Sequence, residues 1–157
     1  MSSDKNFGAV TPADTTALTA TYGSNSAGWT TPGIDVSGMD FLQLELSYTH
    51  KDSGTPAASL SLQPMFGERT ETDLDNYSPE LEDPTASGAL TDLAKTVDVS
   101  GLSDDDVLRR VLRIDTRGAS MLRLAAKVDD ATDSPTLTCR YLGGGRATPL
   151  ATSPDVE

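Results

Sequence analysis

The chain has few residues that could build a cofactor or metal site, since it contains one cysteine and one histidine among 157 residues. Cys139 has no second cysteine for an intrachain disulfide, and one Cys with one His cannot complete a zinc site. Aromatic residues are also scarce, at 5 % of the chain. A sugar-binding face of stacked rings is therefore not expected, and Trp29, the sole tryptophan, is expected to fill the core.

Basic residues are few, with 12 Lys and Arg against 24 Asp and Glu, which gives a net charge of −12 at pH 7. Such a charge repels nucleic acid and anionic lipid, so neither is an expected partner. Residues 1–105 carry 17 acidic and 4 basic side chains, whereas residues 106–157 carry 7 and 8. We see neither a signal peptide nor a run long enough to span a membrane, so synthesis and folding in a cytoplasm are expected.

Alternating runs predict short β-strands: between Leu42 and Tyr48 every second residue is apolar. The sequence also repeats, because residues 34–44 align with residues 114–124 without a gap and share Ile, Asp, Gly and two Leu. Upstream of each copy, residues 17–23 resemble residues 95–101 more loosely. Four strands are expected in each half, near residues 15–22, 29–36, 41–50 and 58–66, and near residues 94–99, 107–115, 120–128 and 136–142.

These patterns predict an all-β protein, a β-sandwich of the jelly-roll or Greek-key type with about eight strands in two similar halves. One sandwich domain is expected over residues 15–145, interrupted by an acidic loop at residues 68–93. An N-terminal arm at residues 1–14 and a C-terminal tail at residues 146–157 are expected to be extended.

The segment from Ser103 to Arg113 has two interpretations. It begins like a helix with a capping box, which would place apolar side chains on one helical face. As a strand it would turn Leu108, Leu112 and Ile114 inward, and the repeat favours this strand.

No catalytic, metal or cofactor site is predicted, and the protein is not expected to be an enzyme. His50 is the only possible histidine base, but its place at a strand end favours a solvated position. Cys139 lies in a strand-like run and is expected to be a small buried residue. The acidic segments at residues 73–76 and 129–133 could bind calcium, yet they lack EF-hand spacing, which favours solvated turns.

The arginines of the C-terminal half are the candidate interface residues. Arg109, Arg113 and Arg117 are spaced four residues apart and share one face of the predicted strand. They could pair with acidic side chains of the same domain, or dock on acidic patches of an adjacent subunit, and the sequence leaves both possibilities open.

The two halves begin with Ile34-Asp35-Val36-Ser37-Gly38 and Ile114-Asp115-Thr116-Arg117-Gly118, each followed by a strand. With their loops of Gly, Thr, Asp and Pro, they resemble small β-sandwich structural proteins of tailed bacteriophages. The resemblance is greatest to capsid decoration (cement) proteins and spans most of residues 15–145. It implies a non-enzymatic protein of the virion surface, commonly trimeric, that binds the major capsid protein and stabilises the outside of the capsid. The alternative is a carbohydrate- or receptor-binding sandwich on a tail fibre.

Overall fold

The computed structural model describes residues 6–7, 17–25, 27–79, 95–116 and 118–146. Its strands, in chain order, are β1 (Asn6–Phe7), β2 (Trp29–Thr30), β3 (Ile34–Asp35), β4 (Phe41–Thr49), β5 (Ser59–Gly67), β6 (Lys95–Asp98), β7 (Val107–Asp115), β8 (Met121–Val128) and β9 (Thr136–Gly145). They form two antiparallel sheets, and the only helical element of these residues is a 3₁₀ turn at Leu74–Asn76. The predicted all-β sandwich is confirmed.

The four-stranded sheet has the order β1-β9-β4-β7. The five-stranded sheet has the order β2-β8-β5-β6, and β3 also pairs with β8. Because β2 and β3 follow each other along β8, they fill one strand position, so the described residues form eight strand positions, the number that the sequence predicts. From β3 to β5, and again from β6 to β9, consecutive strands alternate between the sheets. The finer jelly-roll or Greek-key type stays a prediction, which this alternation supports.

The core lies between the sheets and is filled by the inward residues of each strand. Along β4, buried and half-buried positions alternate without exception, and Leu42, Leu44, Leu46 and Tyr48 are the buried ones. This is the pattern that period 2 imposes on a strand with one covered face. Trp29 is fully buried, and its indole Nε1 donates to the carbonyl of Leu137 over 2.8 Å, which confirms its core position.

The repeat seen in the sequence is also a repeat of contacts. The N–H of Val36 donates to the carbonyl of Ser120, and the N–H of Thr116 donates to the carbonyl of Asp40, both over 2.9 Å. In the aligned halves Val36 corresponds to Thr116 and Asp40 corresponds to Ser120, so the two bonds are equivalent. The pairing of β3 with β8 matches that of β7 with β4 in the same way. Each sheet therefore contains strands from both halves.

The strand predicted at residues 15–22 is wrong over its described part, because Ala17 makes only an isolated bridge, to Thr136. The hydroxyl of Thr19 donates to the carbonyl of Thr21 over 2.7 Å, a local bond that competes with strand pairing. The strand that pairs with β9 at this edge is β1 instead.

The upstream part of the repeat also has a different register from the one expected. The N–H of Leu18 donates to the carbonyl of Pro135, just as the N–H of Val99 donates to that of Ala58. Leu18 therefore corresponds to Val99 in the structure. This correspondence is shifted by three residues from the sequence alignment of residues 17–23 with residues 95–101. Both side chains are buried, so core packing decides this register.

The contested segment is a strand, since β7 covers Val107–Asp115. Ile114 is buried and both Leu108 and Leu112 pack against the core, as the strand interpretation predicts. Of the expected acidic loop, residues 68–79 are described and residues 80–93 lie outside the described residues. Residues 147–157 of the expected tail lie outside them as well.

Candidate functional site

The prediction of a solvated His50 is wrong, because the structure buries this side chain to 1 % exposure. Its Nδ1 lies 3.0 Å from the hydroxyl of Tyr48, and the loop at Asp105 and Asp106 bonds its backbone on both sides. Burial raises the pKa of Tyr48 to about 12, so its hydroxyl keeps its proton at neutral pH. His50 is therefore a core residue that packs the end of β4.

Cys139 is a buried core residue, as predicted. Its exposure is 1 %, and burial raises the pKa of its thiol to about 12. A nucleophilic cysteine needs a lowered pKa and some exposure, so this thiol is unreactive at neutral pH.

The two acidic segments considered for calcium bind the protein's own loops. Asp129 accepts the backbone N–H groups of Ala58 and Ser59, and Asp133 accepts those of Ser53 and Thr55, all within 3.0 Å. Among the residues described, no group of three or more His, Cys, Asp or Glu side chains is arranged to hold a metal ion. These carboxylates fix the loop that precedes β5.

The other segment, at residues 73–76, contacts the loop before β2. Asp73 accepts a bond from the side-chain amide of Asn25, and Asp75 accepts the backbone N–H of the same residue. These contacts hold residues 71–77 against the outer face of the five-stranded sheet.

The outer face of the five-stranded sheet is largely covered by the protein's own loops. Arg123 points outward from β8, yet only 3 % of it is exposed. Its guanidinium donates to the carbonyl of Gly23 and lies over the ring of Tyr77, which come from the two covering loops. Gln63 and Ala125 on the same face are buried as well. Around Arg123, Gln63 and Ala125 this face is therefore closed to a partner.

The outer face of the four-stranded sheet is open along β7. Val107 and Val111 are 50 % and 60 % exposed, and within the described ranges they are the only exposed large hydrophobic residues. Arg109 and Arg113 alternate with them on the same face, as the sequence predicts for the arginines. Arg117 lies outside the described residues. The site is thus a strip of alternating valine and arginine, Val107-Arg109-Val111-Arg113, and we call it the β7 strip.

The arginines of the β7 strip are not neutralised by acidic side chains of the described residues. The guanidinium of Arg113 lies 4.0 Å from the ring centre of Phe41, a cation–π contact. No described carboxylate pairs with Arg109 or Arg113, whereas Arg140 on the neighbouring β9 pairs with Glu45 over 2.8 Å. Of the two possibilities left open by the sequence, pairing within the domain is therefore not seen for these two arginines.

A polar depression of about 450 Å³ lies at one end of the sandwich, where the two equivalent turns of the repeat meet. Gly38 and Gly118 in these turns have φ angles of 76° and 84°, which favour glycine. Arg69 and Arg146 also line the depression, and Arg146 donates to the carbonyl of Gly38 over 2.9 Å. This bond holds the end of β9 against the first turn.

The sequence interpretation omitted the valines of the β7 strip. The alternation of the predicted strand already placed Val111 on the outward face, and Val107 lies on the same face because it is four residues away. Their exposure was the missing signal, because it depends on whether a loop covers the face.

No protein-family model and no curated protein sequence matches this chain. No helix of the described part has the length and apolar character to cross a membrane.

Proposed function

We propose that the protein is a non-enzymatic structural protein of a phage virion, which binds the outside of the capsid and stabilises it. The observation that carries the proposal is the β7 strip, where exposed valines alternate with arginines on an uncovered sheet face. Exposed apolar residues beside charged ones are typical of protein-binding surfaces. The sequence resemblance to decoration proteins supplies the class of partner.

The charge of the strip supports a protein partner with acidic groups. In a chain with a net charge of −12, two exposed arginines that no described carboxylate pairs with stand out from their surroundings. Docking against acidic patches of a major capsid protein would pair them and bury the valines between the two proteins. Charged pairs of this kind guide the encounter and set the orientation, while apolar contact supplies affinity.

The acidic charge of the protein supports a position on the outside of the capsid. An acidic protein is repelled by packaged nucleic acid, so the outer side of a capsid suits it better than the inner side. Its charge also keeps many copies soluble before they assemble. Self-association as a trimer, which the resemblance implies, belongs to this proposal.

The fibre alternative loses support from the position of the aromatic residues. Trp29 is fully buried, and Tyr48, Tyr77 and Tyr141 are buried too. Lys127 lies over the ring of Tyr22, 4.8 Å from its centre. A sugar platform needs an exposed ring, and none of these five residues offers a free one.

The proposal is tested on particles of the phage whose genome encodes the chain. Quantitative mass spectrometry should count hundreds of copies per particle. Purified protein should also sediment with capsids that lack it. A handful of copies per particle, or no sedimentation with capsids, would contradict the proposal and favour a tail or fibre location.

A further inference from the structure

Among the described strands, β7 lies at the edge of its sheet, and none of them pairs with its outer side. It pairs with β4 along its whole length, from Val107 to Asp115, and it ends the order of the four-stranded sheet. An edge of this kind presents unpaired N–H and C=O groups to any extended chain that approaches it.

The backbone bonds at both ends of β7 show which residues face the open side. The carbonyl of Asp106 accepts from His50 N, and the N–H of Thr116 donates to the carbonyl of Asp40. Both bonds point toward β4. Since the direction alternates along an antiparallel strand, the even-numbered residues of β7 face β4 and the odd-numbered ones face the open edge. The residues of the β7 strip therefore present their backbone groups at the edge and their side chains on the outer face.

The equivalent edge of the other sheet is closed to strand addition. There β2 and β3 occupy the position that corresponds to β7, but they are two residues long each and are separated by Thr31, Pro32 and Gly33. Proline offers no N–H and interrupts a ladder. β7 has no proline or glycine over nine residues. Of the two equivalent edges, only β7 keeps a continuous row of backbone groups.

The charges on β7 disfavour its pairing with the β7 strand of a second copy of the protein. Antiparallel pairing of two β7 strands along their full length would centre on Val111 and place Arg109 opposite Arg113 of the other copy, twice. Like charges directly opposite each other are destabilising. A strand with acidic residues at the positions facing these arginines would be stabilised instead.

We infer that the open edge of β7 binds an extended, acidic segment of the partner protein as an additional strand of the four-stranded sheet. Main-chain hydrogen bonds would supply affinity, and carboxylates facing Arg109 and Arg113 would supply specificity. For the identity of that partner the inference rests on the proposed function. Its test needs no capsid.

Arg110 hinders unwanted strand pairing at the open edge of β7. It pairs with Leu46, so its position in the strand points inward, yet its side chain is exposed and its Nη1 donates to the carbonyl of Arg109 over 3.0 Å. That carbonyl is one of the edge acceptors. A charged side chain at an edge discourages unwanted pairing. An incoming strand must displace this bond, so removing the side chain should favour binding.

The test uses the full chain and a synthetic nine-residue peptide with blocked ends. One face of the peptide alternates valine with glutamate, so that two glutamates can face Arg109 and Arg113, and the other face is threonine. A twin peptide carries N-methyl groups at the amides that would bond to β7, and a third has lysine for glutamate. Affinities are measured by calorimetry, and amide hydrogen exchange is followed at Val111.

The first peptide should bind and slow exchange at Val111. The N-methyl twin should bind at least about tenfold more weakly, because it cannot form several hydrogen bonds, and the lysine peptide should bind as weakly. Equal binding by the N-methyl twin would overturn the added strand, and equal binding by the lysine peptide would overturn the acidic partner. No binding of the first peptide would also overturn the inference, while capsid binding by the protein would still leave the proposed function standing.

Two variants at Val111 distinguish binding through the backbone edge of β7 from binding through its outer side-chain face. Val111→Pro removes an edge N–H that makes no bond within the sheet, whereas Val111→Thr keeps this N–H and has a side chain of nearly the same shape as valine. The proline variant should lose peptide binding by about tenfold or more, while the threonine variant keeps most of it. Arg110→Ala should bind more tightly than the unchanged protein. Equal binding by the proline and threonine variants, with both folded by thermal melting, would contradict the strand addition.

Discussion

The indole N–H of Trp29 donates to the carbonyl of Leu137 over 2.8 Å and so joins β2 in one sheet to β9 in the other. Trp29→Phe keeps an aromatic ring in the core but leaves that buried carbonyl without its partner. We expect a loss of about 1–3 kcal/mol in the free energy of unfolding for the missing bond, and about 3–5 kcal/mol for Trp29→Ala. Urea unfolding measures both. A phenylalanine variant as stable as the unchanged protein would show that the bond contributes nothing.

Leu44 and Leu124 occupy equivalent positions in the two halves, and both are fully buried. Leu44→Ala and Leu124→Ala should therefore each lower the free energy of unfolding by about 2–5 kcal/mol. Val111→Ala is the matched control, since its side chain is 60 % exposed, and it should change stability by less than about 0.5 kcal/mol. If one leucine variant leaves the free energy of unfolding unchanged in a urea titration, the register of that strand differs from the one described.

Asp129 should make stability depend on acid pH. The backbone N–H groups of Ser59 and Ala58 hold the pKa of its carboxyl below the ordinary value of 3.8. Its contribution to stability is therefore complete above pH 3.8 and is lost as the pH falls through the lower folded-state pKa. The free energy of unfolding should fall less steeply below about pH 4 in Asp129→Asn than in the unchanged protein.

Identical acid titrations for Asp129→Asn and the unchanged protein would show that the two N–H groups do not stabilise the ionised carboxylate of Asp129.

The sequence predicted the bounds of three central strands well, and the clearest signal is the period of 2 along β4, which has one buried face. β4, β5 and β8 begin and end within one residue of the predicted bounds. The edge at β1 was missed, since a two-residue strand held by backbone bonds carries no alternation of its own.

Features that depend on what covers a residue could not be read from the pattern. His50 stands after the last residue of β4 and looked solvated, but Tyr48 and the loop at Asp105 and Asp106 bury it. The outward positions of Arg109 and Val111 followed from strand parity. Their exposure did not follow, because Arg123 also points outward and is buried by loops from distant parts of the chain.

The central claim, that the β7 strip docks on a capsid, is tested most directly by reversing its charge. Arg109→Glu with Arg113→Glu changes two exposed arginines that no described carboxylate pairs with. Arg69→Glu with Lys95→Glu makes the same change in net charge at exposed residues away from the strip. Sedimentation with capsids that lack the protein, over a range of salt concentrations, gives the affinity of each. We expect the strip variant to lose capsid binding and most of the salt dependence of that binding, while the control keeps both. The melting temperature of the strip variant should fall only slightly, because it loses the contact of Arg113 with Phe41. Undiminished capsid binding by the strip variant would contradict the claim, and so would an equal loss in the control.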